Sequence, residues 1–128
     1  MIKVAVTKQT NYPVSPKKIK DSLKDFFSKQ GIVSDAEVSV ALVGENKMLE
    51  IGKKYLNDKN LHNVLSFTSD EVSGKFMYPP DNKIHLGEII VCYPVVVREA
   101  KKEGKLIEEK VLELIEHGAW HLLGIHHD

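Results

Sequence analysis

Residues 117–128 read HGAWHLLGIHHD and hold four of the six histidines in a chain of 128 residues. The stretch is either a histidine-rich tail or the end of a helix and a turn built around an ion, and the fold depends on which. At about 100° per residue, His117 and His121 stand one above the other on a single helix edge. Two imidazoles at that spacing can reach one ion. Gly124 supplies a helix stop and a turn, after which His127 returns as a third nitrogen. Neutral imidazole suits zinc, and three protein ligands with an open fourth position describe a catalytic site, whereas structural sites are closed by four. The pattern therefore predicts one Zn2+ per chain, held by His117, His121 and His127.

Working backwards, Ile107, Val111, Leu114, Ile115, Gly118 and Leu122 share one face of a helix spanning 105–123, with the histidines at its edge. A strand is expected at 85–92, and Pro94 opens a helix that Gly104 ends. Residues 69–83 carry Gly74, Pro79, Pro80, Asp81 and Asn82 and read as a long loop with room for a hairpin. Further strands are expected at 63–68, 37–43 and 2–7. A helix is expected at 45–57, and another begins at Ser15-Pro16, with Ile19, Leu23, Phe26 and Phe27 at helical spacing and Gly31 as its stop. The order β-α-β-α-β-β-α-α predicts one α+β domain over 1–128. It consists of a small mixed four-stranded sheet layered with about four helices, the last being a zincin-like metal helix.

Composition narrows the partners. Hydrophobic residues make up 42% and charged residues 28%, a folded and not a disordered mixture. Lys plus Arg and Asp plus Glu both total 18, so no global field attracts a polyanion. The clusters Lys17/Lys18/Lys20, Lys53/Lys54 and Lys101/Lys102/Lys105 are interleaved with acids and read as solvated helix faces. No apolar run approaches the roughly 20 residues that span a bilayer, and the first residues lack a signal peptide's apolar core. A cytoplasmic chain with no membrane partner is the expectation. The single cysteine, Cys92, agrees with a reducing compartment and reads as a small buried hydrophobe.

The histidine spacing also occurs in metzincin proteases, where a glutamate after the first histidine is the general base. Here that position is Gly118, which removes the base and argues against a peptidase. Gly118 lies at the centre of the apolar face and reads as a close-packing residue.

His117-Gly118 through His127 resembles the HGxLHLxGYDH signature of the YbeY family. Asn63-Val64-Leu65-Ser66-Phe67 is similar to that family's VLSF strand, and Leu86-Gly87-Glu88-Ile89 to its LGD-I strand. The resemblance runs in order from about Glu45 to His127. It implies a metal-dependent, single-strand-specific endoribonuclease of ribosomal RNA maturation, acting in small-subunit rRNA processing and ribosome quality control. The implied partners are single-stranded RNA and the small ribosomal subunit; oligomeric state is left open. His117, His121 and His127 carry over as zinc ligands. The VLSF strand would line the cleft, where Ser66 could bond a phosphate or water and Asn63 either contacts RNA or caps the strand. The candidates for the base are metal hydroxide, Glu88, His126 and Asp128. Phe67 and Trp120 read as packing residues, with Phe67 and Tyr78 the aromatics available for base stacking.

The chain departs from the family pattern at several positions. Leu56 stands where an arginine is usual, with Lys53, Lys54 and Lys59 as point-charge substitutes. His62 replaces a threonine, Glu88 an aspartate, and Ile125-His126 a Tyr-Asp pair. Two rival readings follow: an RNA-binding or ribosome-assembly factor whose zinc is mainly structural, and a metal hydrolase of a small substrate.

Overall fold

The computed structural model describes residues 1–9, 11–72 and 84–124. Its elements are β1 (Ile2–Thr7), α1 (Pro16–Lys29), β2 (Ala36–Val43), α2 (Glu45–Leu56), β3 (Val64–Thr68), α3 (Ser69–Val72), β4 (Ile84–Cys92), α4 (Tyr93–Glu103) and α5 (Ile107–Leu122). Every expected strand and long helix is present within a few residues. α3 is the exception, a single helical turn at the start of the expected loop. The rest of that loop, with Tyr78, lies outside the described residues.

The strands form one sheet in the order β1-β2-β4-β3. β1 and β2 run parallel, as do β2 and β4, while β3 is antiparallel to β4. This is the mixed four-stranded sheet that the sequence pattern predicts. β2 is tied to β4 across a register shift at Glu37/Val38, where Leu86 is the extra residue between the pairs His85↔Glu37 and Gly87↔Val38.

The sheet has a helix-packed core on each face. On one, Ile19, Leu23, Phe26 and Phe27 of α1 and Val111, Leu114, Ile115, Ala119 and Leu122 of α5 pack with Val4, Val38, Val40, Ile89 and Val91. The other is smaller: Met48 of α2 covers Leu65, Phe67, Ile90 and Cys92. Each fully buried aliphatic side chain contributes about 1.5–3 kcal/mol, so the larger core sets how firmly α5 is held. Ser15 caps α1 by accepting from Lys18 N, with Pro16 in the first turn. α4 ends at Gly104 in the left-handed region. The α4–α5 connection is braced by Lys110, which is buried and reaches Glu103 at 3.0 Å, and by Lys105, which reaches Glu113 at 2.7 Å. Among the described residues no helix is long and apolar enough to cross a membrane.

Candidate metal centre

α5 lies across β3 and β4, and the contact is made at Gly118. A Cβ there would stand 2.9 Å from Ile89 Cγ2 and 3.4 Å from Ser66 Cβ. The close-packing role expected of Gly118 is thus what the structure shows: the helix axis sits nearer the sheet than any side chain would allow. The consequence is lateral. With the centre of the helix pressed down, its edge hangs over β3, and that edge carries His117 and His121 one turn apart.

His117 is exposed and lines an open groove of about 480 Å³ with Asn63, Val64, Glu113, Leu114, Glu116 and Trp120. Ser66, half-buried on the α5 side of β3, is part of the same face, and among the described residues its hydroxyl makes no hydrogen bond. Asn63 is committed elsewhere. Its Oδ1 accepts from Val64 N at 2.7 Å and its Nδ2 donates to Glu99 Oε1 at 3.0 Å. These bonds fit the role of strand cap, and Asn63 also lines the groove beside His117. Trp120 is half-buried and meets Phe26 edge-on, ring centroids 4.9 Å apart. Phe67 and Cys92 are buried, as expected of packing residues.

His121 faces a residue that pattern reading of the sequence passed over. Glu71, on α3, sits with Oε1 3.1 Å from His121 Nε2. Its carboxylate is placed by a reciprocal pair of hydrogen bonds: Oε1 accepts from Thr68 N at 2.9 Å, and Thr68 Oγ1 accepts from Glu71 N at 3.2 Å. This is a capping box. Burial by itself pushes the Glu71 carboxyl up, but the bonds from Thr68 and His121 outweigh it and hold the group below the usual glutamate range. Thr68-x-x-Glu71 was the available signal, hidden because the segment reads as loop.

The described donors are therefore two imidazoles on one helix edge and a carboxylate against the second. Among the described residues no three such side chains converge tightly enough to hold an ion. The expected third ligand His127, together with His126 and Asp128, lies outside the described residues. The nitrogen donors present fit a borderline-soft divalent ion such as zinc.

Glu88 is not part of this face, and the expectation that it stands near the histidines as a base is corrected. Along β4, Ile89 points to Gly118, so Glu88 and Ile90 point the other way. Glu88 lines a separate pocket of about 300 Å³ under α2, with Lys47, Lys54, Tyr55 and Phe67. Burial there raises its carboxyl pKa above the usual range. The sheet separates it from His117. His62 is likewise occupied, with Nε2 2.7 Å from Asp58 Oδ2. Leu56 is exposed at the end of α2, next to Asn57, which takes the left-handed cap conformation.

Comparison with known proteins agrees with this architecture. A family model described as Endoribonuclease YbeY matches residues 4–128. The Endoribonuclease YbeY of Pseudomonas entomophila (strain L48) is 36% identical over 97 residues, covering 73% of this chain and 57% of that protein. That of Azoarcus sp. (strain BH72) is 35% identical, covering 80% of this chain and 40% of that protein. That of Bartonella quintana (strain Toulouse) is 34% identical, covering 91% and 70%. The chain thus spans about half the length of the first two relatives. In fold it is similar to the solution structure of TM1509 from Thermotoga maritima, with TM-score 0.62 and 25% identity over 100% of this chain and 75% of that one.

Proposed function

The chain belongs to the Endoribonuclease YbeY family, and on that premise we propose that it hydrolyses single-stranded RNA with the help of a zinc ion held by His117, His121 and His127. The substrate we propose is ribosomal RNA, cut during small-subunit maturation and quality control in the cytoplasm, with the small ribosomal subunit as partner. The observation that carries this reading is the edge of α5. His117 and His121 stand one turn apart, over β3, beside an open groove of about 480 Å³.

When bound, the ion supplies Lewis acidity toward a phosphoryl oxygen and lowers the pKa of a water toward about 7. The chain supplies the rest. Gly118 seats α5 on Ile89, which sets the height of both imidazoles above β3. In this proposal the hydroxyl of Ser66, which lies on β3 beneath Gly118, donates to a phosphate oxygen. Glu113 and Glu116 form the outer wall of the groove and repel phosphates, so the RNA backbone runs along the β3 side. Lys105 and Lys110 offset the charge of Glu113 from below, at 2.7 and 3.7 Å. Gly118 stands where a metzincin carries its glutamate base, and the groups proposed here for proton transfer are His126 and Asp128.

The test is cleavage of a single-stranded RNA by the full chain, with a duplex of the same sequence as control. Cutting of the single strand that stops with a chelator and returns with zinc is the expected result. Chelator-insensitive cutting, or none by the zinc-loaded chain, contradicts the proposal.

A further inference from the structure

We propose that the pocket between α2 and the sheet binds a guanine nucleotide, with Glu88 accepting from the base and Lys47 and Lys54 facing the phosphate. The pocket lies on the face of the sheet away from His117 and His121, so the proposal stands apart from the metal centre.

At about 300 Å³ the pocket is at the small end of the range for small-molecule sites. It has room for one planar base and leaves the sugar and phosphate at its mouth. Its walls are polarised. Val43, Phe67 and Ile90 of the sheet and Ile51 and Tyr55 of α2 form an apolar slot. Glu88 is the one polar side chain among the lining residues from the sheet. It is half-buried, and among the described residues it makes no hydrogen bond or ion pair. Burial alone acts on its carboxyl, upward, so neither lysine stands close enough to offset the loss of water. A polar group in that position is costly until a ligand supplies donors. An ionised carboxylate can only accept, and it has two oxygens with which to do so. Guanine is the base whose Watson–Crick edge sets two N–H donors side by side, at N1 and at the N2 amino group. Adenine and cytosine pair a donor with an acceptor, which sets a lone pair against a carboxylate oxygen. The cations stand on the helix side. Lys47 and Lys54 are two turns apart on α2. Lys47 lies 3.8 Å from the exposed Glu50, a weak contact in water. Lys54 makes no ion pair among the described residues and lies 5.3 Å from the centre of the Tyr55 ring. Acceptor on the floor, apolar slot and two cations against one acid at the mouth match the order of groups along a guanine nucleotide.

The experiment titrates the full chain with GMP, guanosine and AMP by calorimetry and locates the bound nucleotide by NMR shifts. GMP should saturate a site whose shifts centre on Ile51, Phe67 and Ile90, and AMP should bind at least about 10-fold more weakly. Glu88→Gln sets an amide donor against those of guanine and should bind GMP roughly 10- to 100-fold more weakly. Lys54→Gln should weaken GMP and leave guanosine unchanged, because guanosine carries no phosphate. Ile51→Trp fills the slot from the helix side and should abolish binding of GMP and guanosine alike. Urea unfolding first confirms that each variant folds. A short RNA with a phosphorylated 5′ guanosine presents the same groups: displacement of GMP by it identifies an RNA end as the natural source, and no displacement identifies the free nucleotide. The proposal is overturned if GMP does not bind up to about 1 mM, or if AMP binds within about threefold of GMP. Shifts centred on the α5 edge, or GMP affinity unchanged in both Glu88→Gln and Ile51→Trp, overturn it as well.

Discussion

The two faces of the sheet are covered by helices in opposite ways. On the α5 face, contact is made by a glycine. Gly118 lets the helix backbone settle onto Ile89 with no space for a methyl group, and the polar residues that matter, His117 and His121, are pushed to the edge where solvent reaches them. On the α2 face, contact is made by Met48 over Leu65, Phe67, Ile90 and Cys92, and the pocket of about 300 Å³ is lined by Glu88 from the sheet and by Glu50, Lys47 and Lys54 from α2. One face thus presents nitrogen donors at a helix edge, and the other hides a carboxyl whose charged form is disfavoured by burial. The difference teaches that a polar residue in a strand is no guide to the site until the face covered by the ligand-bearing helix is known.

The comparison can be broken most severely at Gly87, which serves both faces. Its φ is +136°, and a Cβ would meet Phe67 O at 2.1 Å and Leu122 Cδ2 at 2.8 Å. Carbonyl and backbone cannot both yield, so Gly87→Ala should separate β3 from β4 and destabilise the fold by about 3 kcal/mol or more. Urea unfolding measures this, and a loss under about 1 kcal/mol would contradict the close approach. Gly118→Ala breaks only the α5 face. Alanine is intrinsically better in a helix by roughly 1 kcal/mol, but the methyl group must displace Ile89. The net expectation is a loss of about 1–2 kcal/mol with weakened zinc binding, as α5 lifts and the histidines move. A stabilised variant would show that the helix is not seated on the strand.

The smallest effect belongs to the α2 face and depends on pH. Burial raises the Glu88 carboxyl above its ordinary 4.5, so the folded chain keeps that proton to higher pH than the unfolded chain. The stability this contributes is complete below the unfolded value and is lost as pH rises through the folded one. Glu88→Gln has no proton to lose. Urea midpoints from about pH 4 to pH 8 should therefore show the variant gaining on the wild type as pH rises, then holding a constant lead. A lead that shrinks with rising pH would mean that the Glu88 charge is stabilised.

Much of this was legible before any coordinates. The apolar stripe from Val111 to Leu122 located α5, and i,i+4 spacing placed His117 and His121 on one edge, because helical periodicity is local. Glu88 was assigned to the wrong neighbourhood for a non-local reason. Period two along β4 puts Glu88 and Ile89 on opposite faces, but only the Gly118–Ile89 contact reveals which face α5 covers. Glu71 lies in a segment, 69–83, that Gly74, Pro79, Pro80, Asp81 and Asn82 mark as loop, although Thr68-x-x-Glu71 carries a capping signal. That this carboxylate meets a histidine fifty residues away is tertiary information that no local pattern holds.

The central claim, that the α5 edge and not the Glu88 pocket is where RNA is cut, is tested most directly by one paired rate measurement. Zinc-loaded His117→Ala and Glu88→Gln are compared with the wild type on the same single-stranded RNA. The account predicts that His117→Ala is slower by roughly 100-fold or more, the scale of losing one preorganised electrostatic group, while Glu88→Gln stays within about threefold. Near-normal cutting by His117→Ala, or a comparable collapse in Glu88→Gln, would contradict it.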